Sequence, residues 1–176
     1  GRGADVTDDM MAAADDAYLF NNYDLPMDEA SRMARADELG FDTGTPLYHG
    51  TTATDDFSAL IPSQSGKIGA GVYMTPEPRR ASVFAGADQT AIMLKEPPLK
   101  NSRVLPLVAT NNPADEAARF AARGVRDNYD GGQLAAYQDI FGERGFDGVA
   151  VADERTIVDP ANIRSRFARF DPRLKH

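Results

Sequence analysis

Three stretches hold the residues whose types and spacing could do chemistry. In Pro46-Leu47-Tyr48-His49-Gly50-Thr51-Thr52, His49 is one of only two histidines among 176 residues and closes a short apolar run. Its imidazole can exchange hydrogen bonds with a ligand, and Gly50 beside it lets that ligand approach the backbone N–H and C=O closely. It also reads as a strand-end histidine satisfied by a neighbouring carbonyl. The second stretch, Gly66-Lys67-Ile68-Gly69-Ala70-Gly71-Val72-Tyr73-Met74-Thr75, sets three glycines before Tyr73. It lacks the Gly-Lys-Ser/Thr of a phosphate loop and no helix follows directly, so a Walker loop is rejected. A loop entering a strand beside a cleft is expected instead, with the Tyr73 ring either presented there or packed as an ordinary strand aromatic. The third runs from Gly145 to Pro160, where two apolar runs flank a short acidic turn and Glu154 opens the second run. Taken alone, Glu154 reads as a turn carboxylate before it reads as a functional one.

The elements that must position these residues follow from the apolar periodicity. Thr7 can cap a helix with Met10, Met11, Ala14, Ala17 and Tyr18 at helical spacing, broken by Asn21, Asn22 and Asp24. A second helix is expected from Pro26, with Met27, Ala30, Met33, Ala34 and Leu39 on one side and a stop at Gly40. From Thr45 the texture changes to short strands: Leu47–His49, Gly71–Thr75, Ala91–Lys95, Val104–Ala109, Gly148–Ala152, Thr156–Asp159 and a last one at Phe167–Phe170. Pro106 argues for a sheet edge. Helices are expected over Arg79–Gly86, after Asn112-Pro113, and from Gln133 to Arg144. Strands and helices do not alternate regularly. The expected fold class is therefore α+β with a mainly antiparallel sheet, preceded by an N-terminal helical segment over residues 1–43, with the main domain over 44–176.

Together the three stretches resemble the His-Tyr-Glu class of ADP-ribosyltransferases, the branch of diphtheria toxin and the poly(ADP-ribose) polymerases. Tyr48-His49-Gly50-Thr51 resembles the family's His-Gly-Ser/Thr strand, and Gly71-Val72-Tyr73-Met74 its Gly-Ile-Tyr-Phe strand. Glu154-Arg155-Thr156-Ile157-Val158-Asp159-Pro160-Ala161-Asn162-Ile163-Arg164 is similar to the polymerases' last motif, a strand opened by Glu and ending in Asp-Pro-x-Gln-Ile-Arg. Phe84 stands where the family has its second aromatic. The resemblance covers about residues 45–170 and, with the closing Phe167-Ala168-Arg169-Phe170-Asp171-Pro172, extends to transferase domains of phage polyvalent proteins and bacterial polymorphic toxins. Two positions depart from it. Ala81 replaces a Ser of the polymerases, and Ala152, two residues before Glu154, excludes the Glu-x-Glu turn of arginine-specific transferases.

The resemblance implies a split antiparallel sheet and a mono-ADP-ribosyltransferase that uses NAD+ as co-substrate and needs no metal. Its catalytic residues are Glu154, His49 and Tyr73, and the dinucleotide is met by His49, Gly50, Thr51, Tyr73 and Phe84. Glu154 would stabilise positive charge growing at the ribose C1′ as nicotinamide leaves. Tyr73 and Phe84 would sandwich the nicotinamide, Gly50 and Thr51 would meet its carboxamide, and His49 would hold the adenosine ribose. The acceptor is expected to be a protein or nucleic acid. An NAD+ glycohydrolase using the same site, or a catalytically silent binding module, stays open. An RNA 2′-phosphotransferase is disfavoured by the single interior histidine.

Composition narrows the classes further. No cysteine is present, which removes disulfides, thiolate nucleophiles and Cys-type metal sites. Nothing approaches the ~20 apolar residues of a membrane helix, and no secretory signal is visible. The net charge of −8 hides a split. Residues 1–60 carry 13 acidic and 3 basic side chains, whereas 61–176 carry 14 and 16. The basic close, Arg164, Arg166, Arg169, Arg173 and Lys175, could guide an acidic or nucleic-acid acceptor or be plain surface. Arg79 and Arg80 are expected as solvated helix residues or as contacts to a pyrophosphate or a nucleic-acid backbone. A cytoplasmic monomer without membrane contact is expected, delivered into a target cell as part of a larger protein. The opening Gly1-Arg2-Gly3, without Met, fits that expectation.

Overall fold

The computed structural model describes residues 25–51, 60–85, 103–125 and 128–173. The expected first helix and the Ala91–Lys95 strand lie outside them. The fold is α+β, with four α-helices and two three-stranded antiparallel sheets among the described residues. Helix α1 (Glu29–Glu38) begins later than Pro26 because Asp28 takes the cap, accepting the Ser31 N–H at 2.9 Å. It ends at Gly40, whose φ of +88° suits a residue without Cβ. Its inward face is Ala36 with half-buried Met33, whereas Ala30, Ala34 and Leu39 are exposed, so the apolar stripe is rotated from the expected one.

The first sheet runs β1 (Asp42–Thr51), β3 (Arg103–Ala109), β6 (Ile163–Ser165), and the second runs β2 (Val72–Met74), β5 (Glu154–Ile157), β4 (Gly148–Val151). The expected domain boundary after residue 43 falls inside β1. Alternation along the strands sorts side chains into three packed layers. Leu47, Leu107, Ala109 and Ile163 of the first sheet meet Val72, Met74 and Ile157 of the second. On the far side of the second sheet, Val149 packs against Ala118 and Ala122 of α3 (Glu116–Val125) and Tyr137 and Phe141 of α4 (Gly132–Glu143). On the far side of the first, Val108 packs with Ala36 of α1 and Phe170.

Two expectations are corrected. Pro106 lies in the middle strand, not at an edge. It faces Tyr48, whose own N–H and C=O are turned to Thr75, so the β1 side requires no proline N–H. On its other side β6 pairs only from Leu107, and the Pro106 carbonyl accepts from Arg166 N–H at 3.0 Å. The closing strand is Ile163–Ser165 rather than Phe167–Phe170, where Phe170 turns at φ +50° and stacks edge-on with Phe41 at 5.7 Å. The helix expected after Asn112-Pro113 is present and begins at Glu116, where Asp115 caps it by accepting the Ala118 N–H at 2.7 Å while Pro113 bridges to Gly148. Among the described residues no helix is long and apolar enough to cross a membrane.

Candidate active site

The two sheets join at one point and then part. Tyr48 and Thr75 exchange both backbone hydrogen bonds, at 2.8 and 3.0 Å. In that register the next such pair would be Gly50 with Tyr73. Instead the Tyr73 carbonyl accepts a hydrogen bond from His49 Nδ1 at 2.7 Å. Gly50, two residues beyond Tyr48, turns its N–H and C=O to the same edge by strand alternation. His49 is thus the strand-end histidine bonded to a neighbouring carbonyl, and Nε2 is the ring atom left to meet a ligand.

Helix α2 (Pro78–Phe84) lies across β1 at Gly50. A Cβ on Gly50 would sit 1.7 Å from the Ala81 carbonyl oxygen, so only glycine admits this approach. Ala81 is fully buried in that contact, and the neighbouring Ser82 spends its hydroxyl on the Pro78 carbonyl at 3.2 Å. Thr51 ends β1 opposite Arg103. Phe84 ends α2, and its side chain lies outside what the structure describes.

The glycine-bearing loop before β2 wraps the end of Tyr73. Its hydroxyl donates to the Gly69 carbonyl at 2.7 Å and accepts the Ile68 N–H at 3.1 Å. Gly66 makes the room, since a Cβ there would lie 2.1 Å from that hydroxyl. Burial, with the nearby Glu154 charge adding to it, pushes the Tyr73 phenol above its ordinary value.

Tyr73 pairs with Thr156 across β2 and β5, and Glu154 stands two residues from Thr156, so all three occupy one face of the second sheet. The Glu154 side chain is only 10% exposed, and its Oε1 accepts from Arg80 of α2 at 2.8 Å. The same guanidinium reaches Asp153 Oδ2 at 2.9 Å. The hydrogen bond to Glu154 raises the Arg80 pKa further, so it is a permanent cation. His49, Tyr73 and Glu154 therefore stand on three strands that are neighbours in space.

Arg80 was expected as a solvated helix residue or a phosphate contact, and its pairing with Glu154 and Asp153 was not read from the sequence. The only sequence signal was two adjacent carboxylates in a turn, which call for a cation somewhere, without saying which. Asp147 is buried and paired with Arg155 at 2.8 Å. The basic close of the chain is largely spent internally. Arg164 donates to the Ala161 and Ile163 carbonyls, Arg166 pairs with Glu29, and Arg173 pairs with Asp171.

A groove of about 900 Å³ opens elsewhere, lined by Leu105, Leu107, Ile163, Arg164 and Phe167 among others, and none of the three predicted catalytic residues borders it. Among the described residues no cluster of three or more His, Asp or Glu could hold a metal ion. Compared with protein-family models, curated proteins and solved structures, the chain matches none.

Proposed function

We propose that the chain is an NAD+-dependent ADP-ribosyltransferase that moves ADP-ribose onto a macromolecular acceptor, protein or nucleic acid. The observation that supports this reading most is the parting of β1 from β2, which leaves the Gly50 N–H and C=O edge beside His49 and Tyr73, with Glu154 on the Tyr73 face. A donor and an acceptor on one edge suit a primary carboxamide, and an aromatic ring suits the planar nicotinamide. A carboxylate on that face suits the positive charge that grows at C1′ when the nicotinamide–ribose bond breaks. The electron pair of that bond leaves with the pyridine nitrogen, and the acceptor's nucleophilic atom supplies the new bond to C1′ and releases its proton. Glu154 is nearly buried, and a carboxylate held in a water-poor site acts on such a charge more strongly than one in bulk water.

The test is nicotinamide release from labelled NAD+ by the wild type and Glu154→Gln, with and without a cell lysate divided into protein and nucleic acid. Release falling about 10²–10³-fold in the variant, with label entering one fraction, is expected. Glu154-dependent release without transfer would assign the NAD+ glycohydrolase instead. A folded Glu154→Gln protein with wild-type release would overturn the reading.

A further inference from the structure

We infer that Asp153 is a positioning residue for Glu154, acting through Arg80: by holding one half of the guanidinium it keeps Glu154 Oε2 free for the substrate. This rests on the functional reading above and deepens it. A guanidinium presents parallel N–H groups whose spacing matches the two oxygens of a single carboxylate, and the forked pair is its strongest contact. Arg80 does not make that pair. It divides itself between two carboxylates, one nitrogen reaching Asp153 Oδ2 at 2.9 Å and the other Glu154 Oε1 at 2.8 Å. Among the described residues no donor reaches Glu154 Oε2.

The charge balance follows from this division. Arg80 with Glu154 alone would be neutral and would cancel the charge that the reaction needs. Arg80 with both carboxylates carries a net −1, so Glu154 is oriented through Oε1 while the cluster stays anionic. The backbone prepares the arrangement. β4 and β5 are joined by the two-residue turn Ala152-Asp153, and Ala152 sits at φ +52°, a left-handed conformation that costs an alanine energy. That strained turn holds Asp153 next to Glu154, with both within reach of one side chain of α2. Burial separates the roles: the Glu154 side chain is 10% exposed, Arg80 and Asp153 each 41%. Replacing Asp153 therefore opens no cavity, and the variant should fold.

The experiment compares wild type, Asp153→Asn, Arg80→Ala and the double variant by steady-state nicotinamide release, and determines the crystal structure of Asp153→Asn. The single Asp153→Asn change is expected to lower kcat about tenfold with KM changed less than about twofold, because the substrate still binds while the charge opposite C1′ is weakened. In the Arg80→Ala background the same change should alter kcat less than about twofold, since its route to Glu154 is gone. In the crystal, Arg80 should swing to fork both Glu154 oxygens. A wild-type kcat in Asp153→Asn, or a tenfold loss that persists without Arg80, would overturn the inference. So would Arg80 remaining on Oε1 alone in the variant structure, even if no protein in the series releases nicotinamide. Absence of release by the wild type would instead refute the functional reading and leave the crystal to decide the role of Asp153.

Discussion

Tyr73 is held at its hydroxyl by the loop it emerges from and at its carbonyl by His49. Its ring and its hydroxyl therefore do separable jobs, one facing the candidate site and the other anchoring residues 66–71. In Tyr73→Phe the ring stays and two hydrogen bonds go, a loss of about 1–2 kcal/mol at a net ~1 kcal/mol each. For a chain of this size that lowers Tm by about 2–8 °C in calorimetry, while nicotinamide release should stay within about threefold because stacking is retained. An unchanged Tm would mean that the hydroxyl anchors nothing. The alkaline limb gives a second check. Burial raises the Tyr73 phenol in the folded state. Its contribution is therefore fully present below the unfolded value of about 10 and is lost as pH rises through the higher folded value. Stability measured from pH 9 upward should fall more gently in Tyr73→Phe than in the wild type.

At the scale of elements, the site depends on how closely α2 lies on β1, and Gly50 sets that distance. Gly50→Ala would drive a Cβ to 1.7 Å from the Ala81 carbonyl oxygen, an atom fixed in a helix backbone. The helix must move away, at a cost near or above the upper end of the ~1–3 kcal/mol typical of overpacking. Because Arg80 rides on α2, nicotinamide release should fall together with the urea midpoint, and a variant as stable as wild type would show that the contact can yield. The short apolar runs around His49, Tyr73 and Glu154 were legible as strands because period-2 alternation and glycine punctuation are local signals. Glu154 was legible as opening the second run, but its strand was expected at Thr156–Asp159 and lies two residues earlier, at Glu154–Ile157. What joins distant segments was not legible. The Arg80–Glu154 contact spans 74 residues and depends on α2 folding back over β1, which the local pattern that marks the helix does not encode. Pro106 misled because the rule against proline inside a sheet assumes a hydrogen-bonded position, and its register with Tyr48 makes it a non-bonded one.

For the molecule as a whole, the second sheet is tied to the end of β3 by charge as well as by the apolar layer. Asp147 accepts from the Thr110 hydroxyl at 2.7 Å, the Asn112 N–H at 2.7 Å and the Arg155 guanidinium at 2.8 Å. Arg155 in turn donates to the Thr110 carbonyl at 2.7 Å and Asn111 Oδ1 at 3.0 Å. Both side chains are under a tenth exposed, so salt screens the pair weakly. Arg155 lies in β5 between Glu154 and Thr156, with its side chain on the opposite face from theirs, so this buried pair also fixes the strand that presents the candidate catalytic carboxylate. Removing one partner strands the other without solvent. Asp147→Ala should therefore cost about 3–5 kcal/mol in denaturant unfolding, whereas exchanging both at once, as Asp147→Leu with Arg155→Met, should cost clearly less. Equal losses in the single and double variants would mean that shape, not charge, joins the two sheets there. If the double variant is as stable as wild type but releases nicotinamide more slowly, the pair serves to hold the Glu154 strand in register rather than to keep the chain folded.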